Sequence, residues 1–432
     1  MNTARLRRSR LGTVTAVNAI VIAAMLSGCA PVSYEYYNAL DPSTSATVDE
    51  VVATANLDPS IETQLLSEWA GFSQQEVISL SVFNSPVSSV DGLQFFPSLD
   101  YLELNDTQLQ GVDLSPLREL SNLSQLNLMS NGYTDDSVDE VPYLPQVGWL
   151  SLGFNPITDA ASVNYYLDEV ASDGRTIFLD LQNSQADPGT LSSLNFSALD
   201  GLNVASLQDE SLNPLTLTDT SFIPADNTLT FIDISGPHAP DLSGLTAASD
   251  LRVLYMKDYT APNLDALPTF ERLEQLVVES SGLTSLQGLS QPNLNNLSVE
   301  GSTNLADISE ITAVGMEDVL GDIDISDTAL DDTDMTVVWQ MSNLENLRAY
   351  GLGAASLTDI TGIAALTQLR EVILYNNTAL TAGLAELAAL PNLERVDLNN
   401  TGFTDADVQA QTWAPSVFEI VLPSGGLFVP NP

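Results

Sequence analysis

The chain has 432 residues, with 57 acids against 12 bases, a formal net charge of −45, one cysteine and one histidine. That charge excludes a nucleic-acid binder, whose phosphates demand clustered Lys and Arg, and an adhesive basic face for anionic lipid. A 44% hydrophobic content excludes a disordered polyanion, and a single thiol excludes an intramolecular disulfide or a cysteine-rich metal site.

At the N-terminus Arg5, Arg7, Arg8 and Arg10 precede an apolar run from Leu11 to Leu26, followed by Ser27, Gly28 and Cys29. A basic start and an apolar stretch too short for a comfortable span read as a secretory signal. The stretch Leu26-Ser27-Gly28-Cys29 resembles the lipobox of bacterial lipoproteins. The resemblance implies cleavage before Cys29, thioether lipidation of its sulfur and acylation of the new amino terminus. The competing reading is an ordinary cleaved signal that leaves Cys29 free.

Residues 1–28 are then a signal peptide, and the processed chain carries eight bases against 57 acids, a net charge of −49. Several acyl chains on one cysteine anchor firmly where a single chain is marginal. Residues 29–56 contain "NALDPSTSATVDE" and predict a flexible polar tether. Residues 57–76 predict a helical cap within "LDPSIETQLLSEWAG". Asp58 is its N-cap, Pro59 its first position and Glu62 a first-turn acid.

From residue 77 onward one pattern recurs, L-x-x-L-x-L-x-x-(N/T/S). Leu99, Leu102, Leu104 and Thr107 fit it, as do Leu123, Leu126, Leu128 and Asn131, and Leu393, Val396, Leu398 and Thr401. Repeats start at 77, 99, 123, 147, 176, 199, 229, 251, 273, 294, 320, 344, 369, 393 and 417. Those at 176 and 199 match least well and predict insertions. The pattern resembles leucine-rich repeats, and connecting segments such as "LTSLQGLSQPNL" and "LTDITGIAALTQL" resemble internalin-type bacterial repeats. The resemblance implies an α/β repeat solenoid over residues 77–432. Its horseshoe carries a parallel sheet on the concave face and irregular or short helical convex segments. Strand alternation gives the same result: the residues flanking the central x point inward, and stacked repeats share one core.

Catalytic signatures are missing. The single histidine, His238, lies in "SGPHAP" and reads as a surface-loop residue. No Gly-x-Ser-x-Gly, His-Glu-x-x-His or P-loop is present. The run "GDIDISDTALDDTD" (321–334) suggests calcium, but Asp322 and Asp324 alternate on the strand face while Asp331, Asp332 and Asp334 follow the turn. Thr134-Asp135, Thr158-Asp159 and Thr404-Asp405 repeat that signal before short helices, which favours helix capping over a metal. No cofactor or metal is expected.

The outward strand positions remain. Eight of forty-five are aromatic: Phe83, Tyr101, Trp149, Phe178, Phe231, Tyr255, Tyr350 and Tyr375. Strand propensity alone would give about five. Tyr101, Trp149, Phe178 and Phe231 share one strand position, with Gln125 and Gly201 interleaved, and Tyr255 extends the row on the same face. These five form the candidate partner-binding strip; the alternative is that the rings pack on one another and stiffen the sheet.

The sequence thus points to an exported bacterial protein, anchored through Cys29 to the cell membrane or outer membrane. It is a non-enzymatic scaffold whose concave face meets a protein or glycan. A structural envelope spacer and a carbohydrate-binding accessory are the rival readings.

Overall fold

A computed structural model describes residues 46–55, 57–186, 188–206, 217–352 and 357–430. Cys29, the signal segment and most of the predicted tether lie outside the described residues, as do positions 207–216 in the longest repeat step. Residues from Thr47 onward belong to one compact unit.

Among its described residues, sixteen strands form one sheet in strict chain order. Fifteen are parallel, from β1 (Ser79–Phe83) to β15 (Glu419–Val421), one for every repeat start read from the sequence. Each places its first inward residue in line with that of its neighbour, as in Leu80↔Leu102 and Ile323↔Leu347. These residues are buried in every repeat. Covering one Leu or Ile contributes about 1.5–3 kcal/mol, so the stack is held by one continuous apolar column.

Two recurring devices turn the chain after most strands. A residue in the left-handed region follows the inward pair, including Asn84, Asp106, Ser130, Asp327, Asn376 and Asn400 with φ of 50–63°. Asn and Asp tolerate that conformation better than other residues with a Cβ. The next residue is the motif's closing polar one, and it is buried at Thr107, Asn131, Asn155, Ser281, Ser302, Thr328 and Asn377. Its side chain bonds backbone that would otherwise be orphaned inside the core. Asn131 Oδ1 accepts from Thr107 N at 3.0 Å, while its Nδ2 donates to the Leu104 carbonyl at 2.6 Å.

The ends are closed differently. At the N-terminal end a helix over Pro59–Trp69 starts at Asp58, whose carboxylate accepts from Ser60 N at 2.9 Å. The same carboxylate takes the backbone N–H and hydroxyl of Ser88, both at 2.8 Å, tying the cap to the first repeat. Burial opposes ionisation of Asp58, but these bonds prevail and hold its pKa below the ordinary value.

The tether reading needs correction over its last part, because Val48–Thr54 is a helix. Thr47 and Glu50 form a reciprocal capping box, and Val48, Val51 and Val52 are buried. The T-x-x-E start and the spacing of the valines supply both a cap and an apolar face. At the other end β16 (Leu427–Phe428) folds back antiparallel on β15 through a turn at Gly425 (φ 87°) and ends the parallel ladder.

The weakest repeats carry the irregularities. A helix over Asn164–Ser172 fills the long step before β5 (Ile177–Asp180), and the register shifts at Ile177/Phe178 where β5 meets β6 (Leu199–Asn203).

Candidate binding surface on the sheet

The register places Tyr101, Gln125, Trp149, Phe178, Gly201 and Phe231 side by side on successive strands, and Tyr255 opposite Asp233 on the strand after Phe231. Trp149 and Phe178 stack with centroids 6.2 Å apart. Phe178 and Phe231 approach to 5.1 Å although a whole strand separates them. Gly201 makes this possible: a Cβ there would lie 2.3 Å from Phe178 Cδ2, so the ring occupies the missing side chain's space. Phe231 then meets Tyr255 edge-on at 5.2 Å.

Four of the five residues therefore form one chain of ring contacts. Tyr101 stands apart, beyond Gln125. Phe178, Phe231 and Tyr255 are each only 4% exposed, whereas Tyr101 and Trp149 are half-buried. A ligand arriving at this face meets Tyr101 and Trp149 first.

Beside the rings runs a row of polar groups. Ser151 Oγ donates to Asp180 Oδ2 at 2.6 Å, and Gln182 N donates to Asp180 Oδ1 at 2.9 Å. Asp233 Oδ1 accepts from Ser235 N at 2.8 Å. Burial pushes the pKa of Asp180 up to about 6 against these hydrogen bonds, and does the same to Asp233. Lys257 pairs with Glu279 at 2.5 Å.

The C-terminal half holds a second aromatic element. Tyr350 and Tyr375, one repeat apart, stack in near-parallel planes with centroids 4.2 Å apart. The Tyr350 hydroxyl donates to Glu300. Both tyrosines were visible as outward positions, but the shared strand position of the N-terminal rings drew the candidate site there. The signal for the pair is their spacing of a single repeat.

His238 is a correction. It is 6% exposed, and its Nε2 lies 3.0 Å from the Ile234 carbonyl, which requires the Nε2–H tautomer. Gly236 (φ 153°) admits the ring, because a Cβ there would fall 2.4 Å from His238 Cε1. Burial lowers the His238 pKa. The imidazole is committed to a backbone carbonyl.

The Asp-rich turns divide into two roles. Asp159 and Thr404 cap the helices that follow them, Thr404 through a capping box with Asp407. Asp135 and Asp332 instead reach forward to the next repeat. Each accepts the backbone N–H and the hydroxyl of a threonine, Thr158 at 2.9 and 2.5 Å and Thr358 at 2.8 and 2.5 Å. Among the described residues, no three His, Cys, Asp or Glu side chains are grouped to hold a metal ion, and no helix is long and apolar enough to cross a membrane.

The repeated strand, left-handed turn and buried polar residue define a leucine-rich repeat solenoid. No protein-family model and no curated protein matches the chain. Among solved structures, an internalin of Listeria monocytogenes is 19% identical, with 86% of this chain and 97% of that one covered and a TM-score of 0.44. A leucine-rich repeat protein of Leptospira interrogans is 18% identical over 78% of this chain and 87% of its own, with a TM-score of 0.45. The mouse RP105/MD-1 complex is 14% identical over 78% and 73%, with a TM-score of 0.47. At these identities and scores the likenesses carry nothing about a ligand.

Proposed function

We propose that this protein is a binding scaffold rather than an enzyme. It is exported from a bacterium, held at the membrane by lipidated Cys29, and presents the concave sheet to a protein or glycan partner. The observation that carries the reading is the row of rings on the sheet face, with half-buried Trp149 at its N-terminal end and half-buried Tyr101 two strands beyond it. Aromatic anchors backed by rigid neighbours dominate interface energetics. The burial of Phe178, Phe231 and Tyr255 favours a second reading, in which the row stiffens a solenoid that serves as an envelope spacer.

Two experiments test the proposal. A photocrosslinking amino acid at Tyr101 on intact cells should yield a discrete adduct that the same probe at Glu119, outside the sheet, does not. Trp149→Ala should reduce that adduct about thirtyfold, matching a loss of roughly 2 kcal/mol for an aromatic anchor, with the melting temperature unchanged. No adduct at Tyr101, together with a lowered melt in Trp149→Ala, would leave the spacer reading. Separately, Cys29→Ser should abolish palmitate labelling and release the chain from the membrane fraction. A variant that still labels and still sediments would refute the anchor.

A further inference from the structure

Away from the sheet, the segments that follow β2 (Tyr101–Asn105), β3 (Gln125–Asn127) and β4 (Trp149–Ser151) enclose an open cleft of about 610 Å³. Its walls include Arg118, Asp139, Pro142, Tyr143, Tyr165 and Glu169. The volume falls within the roughly 300–1,000 Å³ of small-ligand sites.

The two rings are fixed from behind. The Tyr165 hydroxyl donates toward the Val138 and Val141 carbonyls, each at 2.7 Å, and the Tyr143 hydroxyl donates to Asp173 at 2.5 Å. Tyr166 packs edge-on against both, at 5.3 and 6.2 Å. Both hydroxyls are thus spent on the protein itself.

The charged groups that line the cleft make few bonds to described residues. Of the eight bases after residue 28, six are in ion pairs with described residues. Arg118 and Arg175 are not. Arg118 is exposed, and its one described hydrogen bond is a long one of 3.5 Å from Nε to the Tyr143 carbonyl. Arg175 donates to the Val147 carbonyl at 2.9 Å and favours the ionised form of Tyr143, against the burial that raises its pKa. Arg118 attracts the Asp113 carboxylate but closes no ion pair with a described residue, so most of its donors remain accessible at the cleft. The exposed carboxylates of Asp139 and Glu169 accept no hydrogen bond from a described residue.

From this arrangement we infer that the cleft binds neutral hexopyranose units of an oligosaccharide. Two carboxylates need a ligand rich in O–H donors, and a guanidinium needs one with oxygen acceptors. Sugar hydroxyls are both. The negative faces of aromatic rings suit the weakly positive C–H face of a pyranose. An acidic sugar or a phosphate would meet repulsion from Asp139 and Glu169. A proline-rich peptide would offer those carboxylates few N–H groups, and the tyrosine hydroxyls that could serve its carbonyls are engaged elsewhere. This site is separate from the concave sheet and stands or falls without it.

The test is calorimetric titration of the full-length protein with gluco-, manno- and galacto-configured neutral pentasaccharides, beside pentagalacturonate and decaproline. At least one neutral pentasaccharide should bind saturably. Arg118→Ala and Glu169→Gln should each weaken that binding tenfold or more without moving the melting temperature, since both side chains are exposed. The inference is overturned if no neutral sugar binds, if pentagalacturonate or decaproline binds more tightly, or if both variants bind as the parent does. Binding that survives in both variants but is lost in Trp149→Ala would move the sugar to the sheet and overturn it equally.

Discussion

Asn155→Leu is expected to destabilise the repeats around it by about 5 kcal/mol, at about 1–3 kcal/mol for each buried group left unpaired. Asn155 is 1% exposed, and Leu keeps its branched skeleton while replacing the amide O and N with bulkier methyl groups. The loss is therefore chiefly one of hydrogen bonds, with some overpacking added. Its Oδ1 accepts from Asn131 N at 2.9 Å and Tyr133 N at 3.1 Å, while Nδ2 donates to the Leu128 and Leu152 carbonyls at 3.1 and 2.9 Å. Leucine orphans all four backbone groups inside the core.

Because each repeat contacts only its neighbours, the damage should stay local. Urea unfolding should split into two steps, and amide exchange should accelerate at Asn131 and Tyr133 before it does at Val396. Exposed Asn392, whose Nδ2 makes one bond to the Thr367 carbonyl at 2.9 Å, serves as control. Asn392→Ala should cost less than about 0.5 kcal/mol. An unchanged urea midpoint in Asn155→Leu would remove the closing polar residue from the account of the fold.

The register of the sheet was legible because every repeat repeats the same inward pair, and a slip of one residue would turn each pair outward. That is why Phe178, Gly201 and Phe231 could be aligned from the sequence across the least regular repeats. Their burial was not legible. Strands lie about 4.8 Å apart, but rings lean, and Phe178 closes on Phe231 over the space that Gly201 leaves empty. Spacing gives the row a side-chain position occupies, not the direction in which a large side chain falls.

His238 was misread for a related reason. Its proline-flanked loop looked exposed, yet Gly236 lets that loop fold the ring inward. The helix over Val48–Thr54 was overlooked because its capping box sits within a stretch rich in Ser, Thr and Pro. The cleft at Tyr143 had no linear signature, since Arg118, Tyr143 and Tyr165 come from three successive repeats.

Stability should rise, not fall, as pH drops from 7 to 5. Burial pushes the carboxyls of Asp180, Asp233 and Asp324 up to about 6. Opposing them are hydrogen bonds from Ser151 and Gln182 to Asp180, from Ser235 to Asp233 and from Ser326 to Asp324, with Lys257 near Asp233 and Arg348 near Asp324. Asp180 adds repulsion at Asp233, and Glu300 adds it at Asp324. An unfolded aspartate titrates near 4, so between about pH 4 and 6 the folded chain holds protons that the unfolded chain has released.

Folding is then favoured by acidification in that window, by roughly 1 kcal/mol per group between pH 7 and 5, and about 3 kcal/mol for the three. His238 subtracts from the gain, because its lowered pKa makes the unfolded chain the better proton acceptor as pH falls through the ordinary histidine range. The carboxylates held low by hydrogen bonds, Asp58, Asp135, Asp307 and Asp331 among them, stabilise above the unfolded pKa and lose that contribution only as pH falls below about 4. The optimum should therefore lie between about pH 4 and 5.5. Urea midpoints at pH 7 and 5 measure the slope, and the triple variant Asp180→Asn, Asp233→Asn, Asp324→Asn isolates these groups from the general easing of charge repulsion. The variant should gain stability at pH 7 and lose most of the slope; a parent-like slope would show that the three buried carboxyls do not govern it.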